Sequence, residues 1–304
     1  GTAYVLAVGI NDYANQQYNL KYAVADADDF GAEVKRQQAR LNRFGAIEVV
    51  SLRDREATKA NILLALKLLA GAQIDAAGEN PPAALASLKP AQPEDVVMIY
   101  FAGHGTAHDN QFYLIPHDLG YEGSRTELDE AGLRAILAHG ISDRELEAAV
   151  EGLGADQLLL VIDACNSGQA LEAAEKRRGP MNSKGLAQLA YEKGMYILTA
   201  AQGYQAALEA AQLGHGYLTY ALVEEGLRKT AADAEPRDGR VIVREWLNYA
   251  TERVPQMQET KIKAARDLGI SLSFAEGESQ SSVQRPRVFY RRESEAQPLV
   301  VATQ

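Results

Sequence analysis

A thiol and an imidazole are the two side chains in this sequence best suited to covalent chemistry on a carbonyl group. The chain has 304 residues and a single cysteine, Cys165, which sits in "VIDACNSG" directly after an apolar run. His104 stands between Gly103 and Gly105 in "YFAGHG", at the end of another apolar run. A free thiol has a pKa of about 8.5, so it needs a neighbouring imidazole to become a good nucleophile at neutral pH. Glycines beside His104 let another backbone approach and leave the Gly105 amide free to donate. Together with the Cys165 amide it would form an oxyanion hole, and the whole set suits acyl transfer.

Each residue also has a plainer reading. A lone cysteine beside a strand can be a small buried hydrophobe. Asp163, two residues before Cys165, can cap a following helix. Gly-His-Gly by itself is a weak signal. His108, His117, His139 and His215 lack metal-ligand spacing and read as structural or surface residues. What favours chemistry is the coincidence of His104 and Cys165 at the ends of two successive apolar strands.

The elements that must hold these residues alternate along the chain. "AYVLAVGI", "AIEVVSL", "DVVMIYFAG", "DQLLLVIDA" and "GMYILTAA" are short apolar runs that predict buried strands. Between them lie helical patterns: "LKYAVADADDFGAEVKRQQAR", "ATKANILLALKLLAG" stopped by Gly71, and "SDRELEAAVEGL" opened by a capping box from Ser142 to Glu145. "GYLTYALVEEGLRK" and "REWLNYATERV" are further helices. Strands alternating with helices predict an α/β fold with a mostly parallel central sheet flanked on both faces. In such sheets functional groups gather beyond the carboxyl ends of the strands. Residues 255–282 are weakly patterned, and "QRPRVFYRRESEAQPLVV" suggests an edge strand followed by a C-terminal linker over 281–304.

Composition excludes several classes. The chain carries 31 basic and 41 acidic residues, a net charge of −10, which gives no footprint for nucleic acid. One cysteine rules out an intrachain disulfide and a cysteine-cluster metal site. A reducing, cytoplasmic location fits, although an envelope protein without disulfides would read the same way. No apolar stretch approaches the ~20 residues that span a bilayer, so no membrane partner is expected. There is no phosphate-binding G-x-x-x-x-G-K-[ST] and no G-x-S-x-G nucleophile elbow.

"YFAGHG" followed some sixty residues later by "VIDACNSG" resembles the catalytic pair of caspase-like peptidases, especially bacterial orthocaspases and metacaspases. "AVGINDYANQQYNLKYAVADADDF" and "HGYLTYALVEEGL" resemble the family's first strand–loop–helix and the helix after its fifth strand. The likeness spans most of residues 3–253. It implies the caspase–hemoglobinase fold, with His104 as general base and acid, Cys165 as nucleophile, and the Gly105 and Cys165 amides as oxyanion donors. The expected domain covers 1–280, with a large part over 1–178 and a small part over 185–280.

In metacaspases the pocket for the P1 side chain (S1) is acidic and selects Arg or Lys. The family's two pocket aspartates fall on Asp26 and Asp163, although Asp26, beside Asp28 and Asp29, could equally lie on a solvated helix face. Ala23 and Ala102 depart from the family pattern, in which a cysteine is common at the first position and a small hydroxyl residue is often found at the second. No basic set of the kind that true caspases use to read aspartate is present. The resemblance implies Arg-preferring cleavage of proteins or peptides, and self-cleavage after Arg177, Arg178 or Lys184. It also implies a regulatory repeat or sensor domain elsewhere. No cofactor or metal is expected, and calcium dependence is not readable from the residues. Two other readings stand beside it: a catalytically silent caspase-like interaction module, and a CHAT- or separase-like protease with one dedicated substrate.

Overall fold

The computed structural model describes residues 1–73, 81–109, 111–166, 184–202, 214–234, 236–267, 283–291 and 298–304, and of residues 107, 165, 166, 184, 185, 201, 202, 262 and 264–267 the backbone alone. Parallel pairing joins β1 (Thr2–Gly9) to β2 (Ala46–Arg53) on one side and to β3 (Val96–His108) on the other. Next to β3, and again parallel, come β6 (Gln157–Asn166) and then β7 (Tyr196–Gln202). The end of β3 turns back into β4 (Gln111–Ile115), which pairs antiparallel with β3 and with the short β5 (Ile141–Ser142). Asp109 makes this turn in the left-handed region, at φ 46°, a conformation that aspartate tolerates better than most residues. At the far edge β9 (Arg287–Phe289) pairs antiparallel with β7.

Among the described residues the main sheet has eight strands, with its long path ordered β2-β1-β3-β6-β7-β9. The α/β, mostly parallel sheet expected from the sequence is what the chain builds. Strand order reverses around β1, so the crevice beyond β1 and β3 is a topological switch point, the usual place for a site in such sheets.

Alternation within the strands divides the core in two. Val97, Ile99 and Phe101 of β3 face one layer, and Val96, Met98, Tyr100 and Ala102 face the other. The first layer is covered by α2 (Lys59–Leu69), α3 (Glu130–His139), α4 (Asp143–Glu151) and α5 (Lys184–Lys193), through Leu66, Ile136, Val150 and Leu189 among others. The second is covered by α1 (Ala23–Leu41), by α7 (Val243–Asp267), and by Tyr217–Thr219 running into the π-wound Tyr220–Arg228, together α6. Phe30, Leu222 and Trp246 fill this face, with Trp246 donating its indole N–H to the Leu222 carbonyl at 2.8 Å. Burying one such large apolar side chain is worth about 1.5–3 kcal/mol.

Local chemistry sets the element ends. The Thr58 side chain accepts the Asn61 N–H to start α2, and the expected capping box of Ser142 and Glu145 starts α4. Asn42, at φ 50°, ends α1.

The C-terminal residues divide differently from the expected edge strand and linker. Arg287–Phe289 is the edge strand. Val300–Thr303 forms a further strand, β10, paired with β8 (Arg240–Ile242) in a separate two-stranded sheet. Val300, Val301 and Ala302 are buried there, so apolar burial holds this end down. Within the weakly patterned 255–282 stretch, α7 runs through Pro255 as far as Asp267. Among the described residues no helix is long and apolar enough to cross a membrane.

Candidate functional site

His104 and Cys165 occupy paired positions on neighbouring strands: the β3–β6 register sets His104 opposite Cys165 and Gly105 opposite Asn166. Adjacent strands lie about 4.8 Å apart, so the two residues named from sequence are brought side by side. His104 is only 2% exposed, deeper than a position at an open rim would be. Its surroundings come from the loop after β1. The Tyr18 carbonyl lies 2.7 Å from His104 Nε2. A carbonyl can only accept, so Nε2 carries the ring proton, and in the neutral ring Nδ1 is the nitrogen with the lone pair.

That loop is itself braced. The Asn11 and Asp12 amides donate to Asp54 Oδ1 at 2.8 Å, and the Tyr13 amide to Asn19 Oδ1 at 2.8 Å. The Ala14 amide donates to the His117 carbonyl at 3.0 Å, and Asn15 Nδ2 reaches the Tyr121 and Gly123 carbonyls. Tyr13 and Tyr18 are thus delivered to His104 by a fixed backbone. Sequence reasoning passed over both. Tyr18 works through its carbonyl, which every residue has, and nothing in its side-chain type could have flagged it.

The glycines beside His104 are used inside the fold. A Cβ on Gly103 would come within 2.9 Å of the Tyr13 hydroxyl, and one on Gly105 within 2.8 Å of the Ala164 Cβ. Their bareness makes room for neighbours in the protein, a role separate from admitting a substrate backbone.

Asp26 and Asp163 are both 4% exposed, so Asp26 is no solvated helix position. The two meet one element. Asp26, on α1, accepts the Gly216 N–H at 3.1 Å through each oxygen and the His215 Nδ1–H at 3.0 Å. Asp163, on β6, accepts the Thr219 hydroxyl at 3.4 Å, and Thr219 also bonds the Tyr100 hydroxyl at 2.6 Å. Gly216 and Thr219 are one turn apart at the start of α6, so both carboxylates converge there. Burial pushes the Asp26 carboxyl above its ordinary range, with His215 and Gly216 opposing and Asp29 reinforcing. The hydrogen bond to Asp26 raises the His215 pKa, against burial, and Asp29 adds to the rise.

A charged lattice surrounds the pair. His215 Nε2 lies 3.6 Å from Asp29, and Arg228 bridges Asp29, Glu33 and Glu224. Burial pushes Glu33 upward, but hydrogen bonds from Arg36 and Gln37 outweigh it and leave the carboxyl below its usual range. Among the described residues no group of three or more His, Cys, Asp or Glu side chains is placed to hold a metal ion.

Of the expected self-cleavage positions, Arg177 and Arg178 lie outside the described residues. Lys184 is the first residue of α5.

The sequence pattern of the caspase domain matches residues 2–266, nearly the whole chain. This chain belongs to the caspase-domain family. The family is one of cysteine peptidases, which act on proteins. No curated protein sequence matches the chain. Among solved structures, the fold of this caspase domain is similar to the crystal structure of protein GSU0716 from Geobacter sulfurreducens. That likeness has a TM-score of 0.50 and 15% identity, and covers 97% of this chain and 95% of the other.

Proposed function

We propose that the protein is a cysteine endopeptidase that cleaves after basic residues, Arg before Lys, through a His104–Cys165 dyad. The observation that carries this reading is the pairing of His104 with Cys165 across β3 and β6, with His104 Nε2 anchored on the Tyr18 carbonyl. With Nε2 held as donor, Nδ1 takes the proton of the Cys165 thiol as sulfur attacks the scissile carbonyl. In this reading the oxyanion goes to the Gly105 and Cys165 amides, the donors that the resemblance implies, once these leave their strand pairing. Nδ1–H then protonates the departing amine, leaving a thioester. In the second half Nδ1 takes a proton from water, hydroxide displaces the thiolate, and the thiolate recovers the proton.

Asp26 and Asp163 form the S1 pocket in this reading. A guanidinium there gains charge-assisted, bidentate hydrogen bonds that an ammonium makes less well, whereas an acidic P1 side chain meets like charge. The same preference supports self-processing between the large and small parts of the domain.

Fluorogenic peptides with Arg, Lys or Asp at P1 test the proposal on wild type, Cys165→Ala and His104→Ala. Arg peptides are expected to be cleaved best, and either substitution to lower kcat by roughly 10³-fold or more. Near wild-type turnover in Cys165→Ala would falsify the dyad. Preferential cleavage of the Asp peptide would remove the basic specificity.

A further inference from the structure

Tyr13 meets the histidine at both its backbone and its ring. Its hydroxyl accepts the His104 backbone N–H at 2.7 Å and donates to the Ile115 carbonyl at 3.3 Å. Ile115 is the residue opposite His104 in the β3–β4 pair, so one hydroxyl ties together the two strands that meet at the histidine. The Tyr13 ring centroid lies 4.9 Å from that of the imidazole, with the planes 39° apart. Tyr18 meets the same imidazole edge-on, at 6.1 Å and 86°. Tyr13 is 3% exposed, and Gly103 is bare at the point where a side chain would strike its hydroxyl.

A buried tyrosine that only fills space needs one hydrogen-bond partner anywhere within reach. Here the hydroxyl bonds each strand of the pair that meets at His104, and the ring lies against the imidazole itself. The hydroxyl therefore fixes where His104 sits in the strand, and the ring limits how the imidazole tilts about its Nε2 anchor.

We infer that Tyr13 is a positioning residue for the dyad, holding the His104 ring in the one orientation from which Nδ1 can exchange a proton with Cys165. The inference rests on the dyad reading above. Tyr13→Phe removes the hydroxyl and keeps the ring; Tyr13→Leu removes both. Because Cys165 is the only cysteine, alkylation by iodoacetamide followed by intact mass reads that thiol alone, with no substrate needed. In Tyr13→Phe, kcat for an Arg peptide is expected to fall about 10-fold with KM within about 2-fold of wild type, and in Tyr13→Leu about 100-fold, the scale of a small misplacement of a catalytic group. The alkylation rate at neutral pH should fall in the same order, towards that of His104→Ala.

Melting curves identify folded variants, and Tyr13→Phe, which keeps the core volume, decides the matter if Tyr13→Leu does not fold. Wild-type kcat and alkylation in Tyr13→Phe, or a rise in KM alone, overturn the positioning role while an inactive Cys165→Ala leaves the dyad standing. If Cys165→Ala stays active, the dyad fails and this inference goes with it.

Discussion

A carboxylate removed from water needs donors or a positive partner, and Asp26 and Asp163 solve this differently. Asp26 has the Gly216 amide and His215, whereas the hydrogen bond from Thr219 to Asp163 is long, at 3.4 Å. In the proposed S1 pocket an arriving guanidinium adds a positive charge beside both carboxylates. Asp163→Asn keeps the shape and removes the charge. It is expected to lower kcat/KM for Arg peptides by an amount equivalent to about 2–5 kcal/mol, the range for losing one member of a desolvated charge pair. Asp26→Asn should do the same and also loosen the start of α6, so its melting temperature is measured alongside. An unchanged Arg-over-neutral preference in the double variant would show that P1 is read elsewhere. Asp163 and Asp26 are singled out only through the family resemblance, which implies one aspartate two residues before Cys165 and another in the first helix. Their shared dependence on the start of α6 could not be read from the sequence, because it joins residues nearly two hundred positions apart through backbone and hydroxyl groups.

Elements were legible where period and punctuation agreed. β1, β2, β6, β7, α1, α2 and α4 lie where apolar runs, helical spacing and caps place them; burial on both faces leaves the inner strands β1 and β6 a continuous apolar signature, while the edge strand β2 buries only Val50 and Leu52. β3 was read to Gly103 but runs on to His108, because "HGTAH" carries no apolar run and is held by pairing with β4. The five residues of β4 and the two of β5 are too short to show a period of their own. The join between α1 and α6 makes a pH prediction. His215 and Asp26 both have folded pKa values raised above their unfolded ones. Groups shifted upward hold protons more tightly when folded, so their contribution is complete below the unfolded values and is lost as pH rises through the folded ones. Around neutrality His215 governs, with Asp29 and Arg228 facing it as well. The melting temperature should therefore decline as pH rises from about 6.5, the ordinary histidine value, through the raised one. His215→Gln should flatten that decline. A wild-type curve that rises over this interval would contradict the pairing.

At the scale of the whole molecule, the connection between β6 and α5 joins the strand that bears Cys165 to the part of the chain that forms β7 and α6. Its sequence, "LEAAEKRRGPMNSK", concentrates Lys176, Arg177, Arg178 and Lys184 in a chain of net charge −10. A protease that prefers Arg would find suitable side chains here, and caspase-like enzymes are the resemblance that suggested a cut. Peptide substrates generally enter such sites extended. Lys184 begins a helix, which makes the bond after it a poor target, and the Gly179–Pro180 bond is another. A cut after Arg178 would leave His104 and Cys165 together in the larger piece. The smaller piece would keep β7 paired with β6 over the full register from Leu159–Tyr196 to Cys165–Gln202, and would keep Trp246 and Leu222 buried against the sheet. Unfolding would be needed to separate the pieces, so a cleaved sample should elute from a sizing column at the volume of the intact protein and split only in denaturant. Intact masses of wild type and Cys165→Ala, incubated side by side, decide the origin of any cut. Fragments ending at Arg177 or Arg178 in wild type alone mean self-processing. The same fragments in both mean another protease, and unchanged masses in both mean that the basic stretch is only a connection.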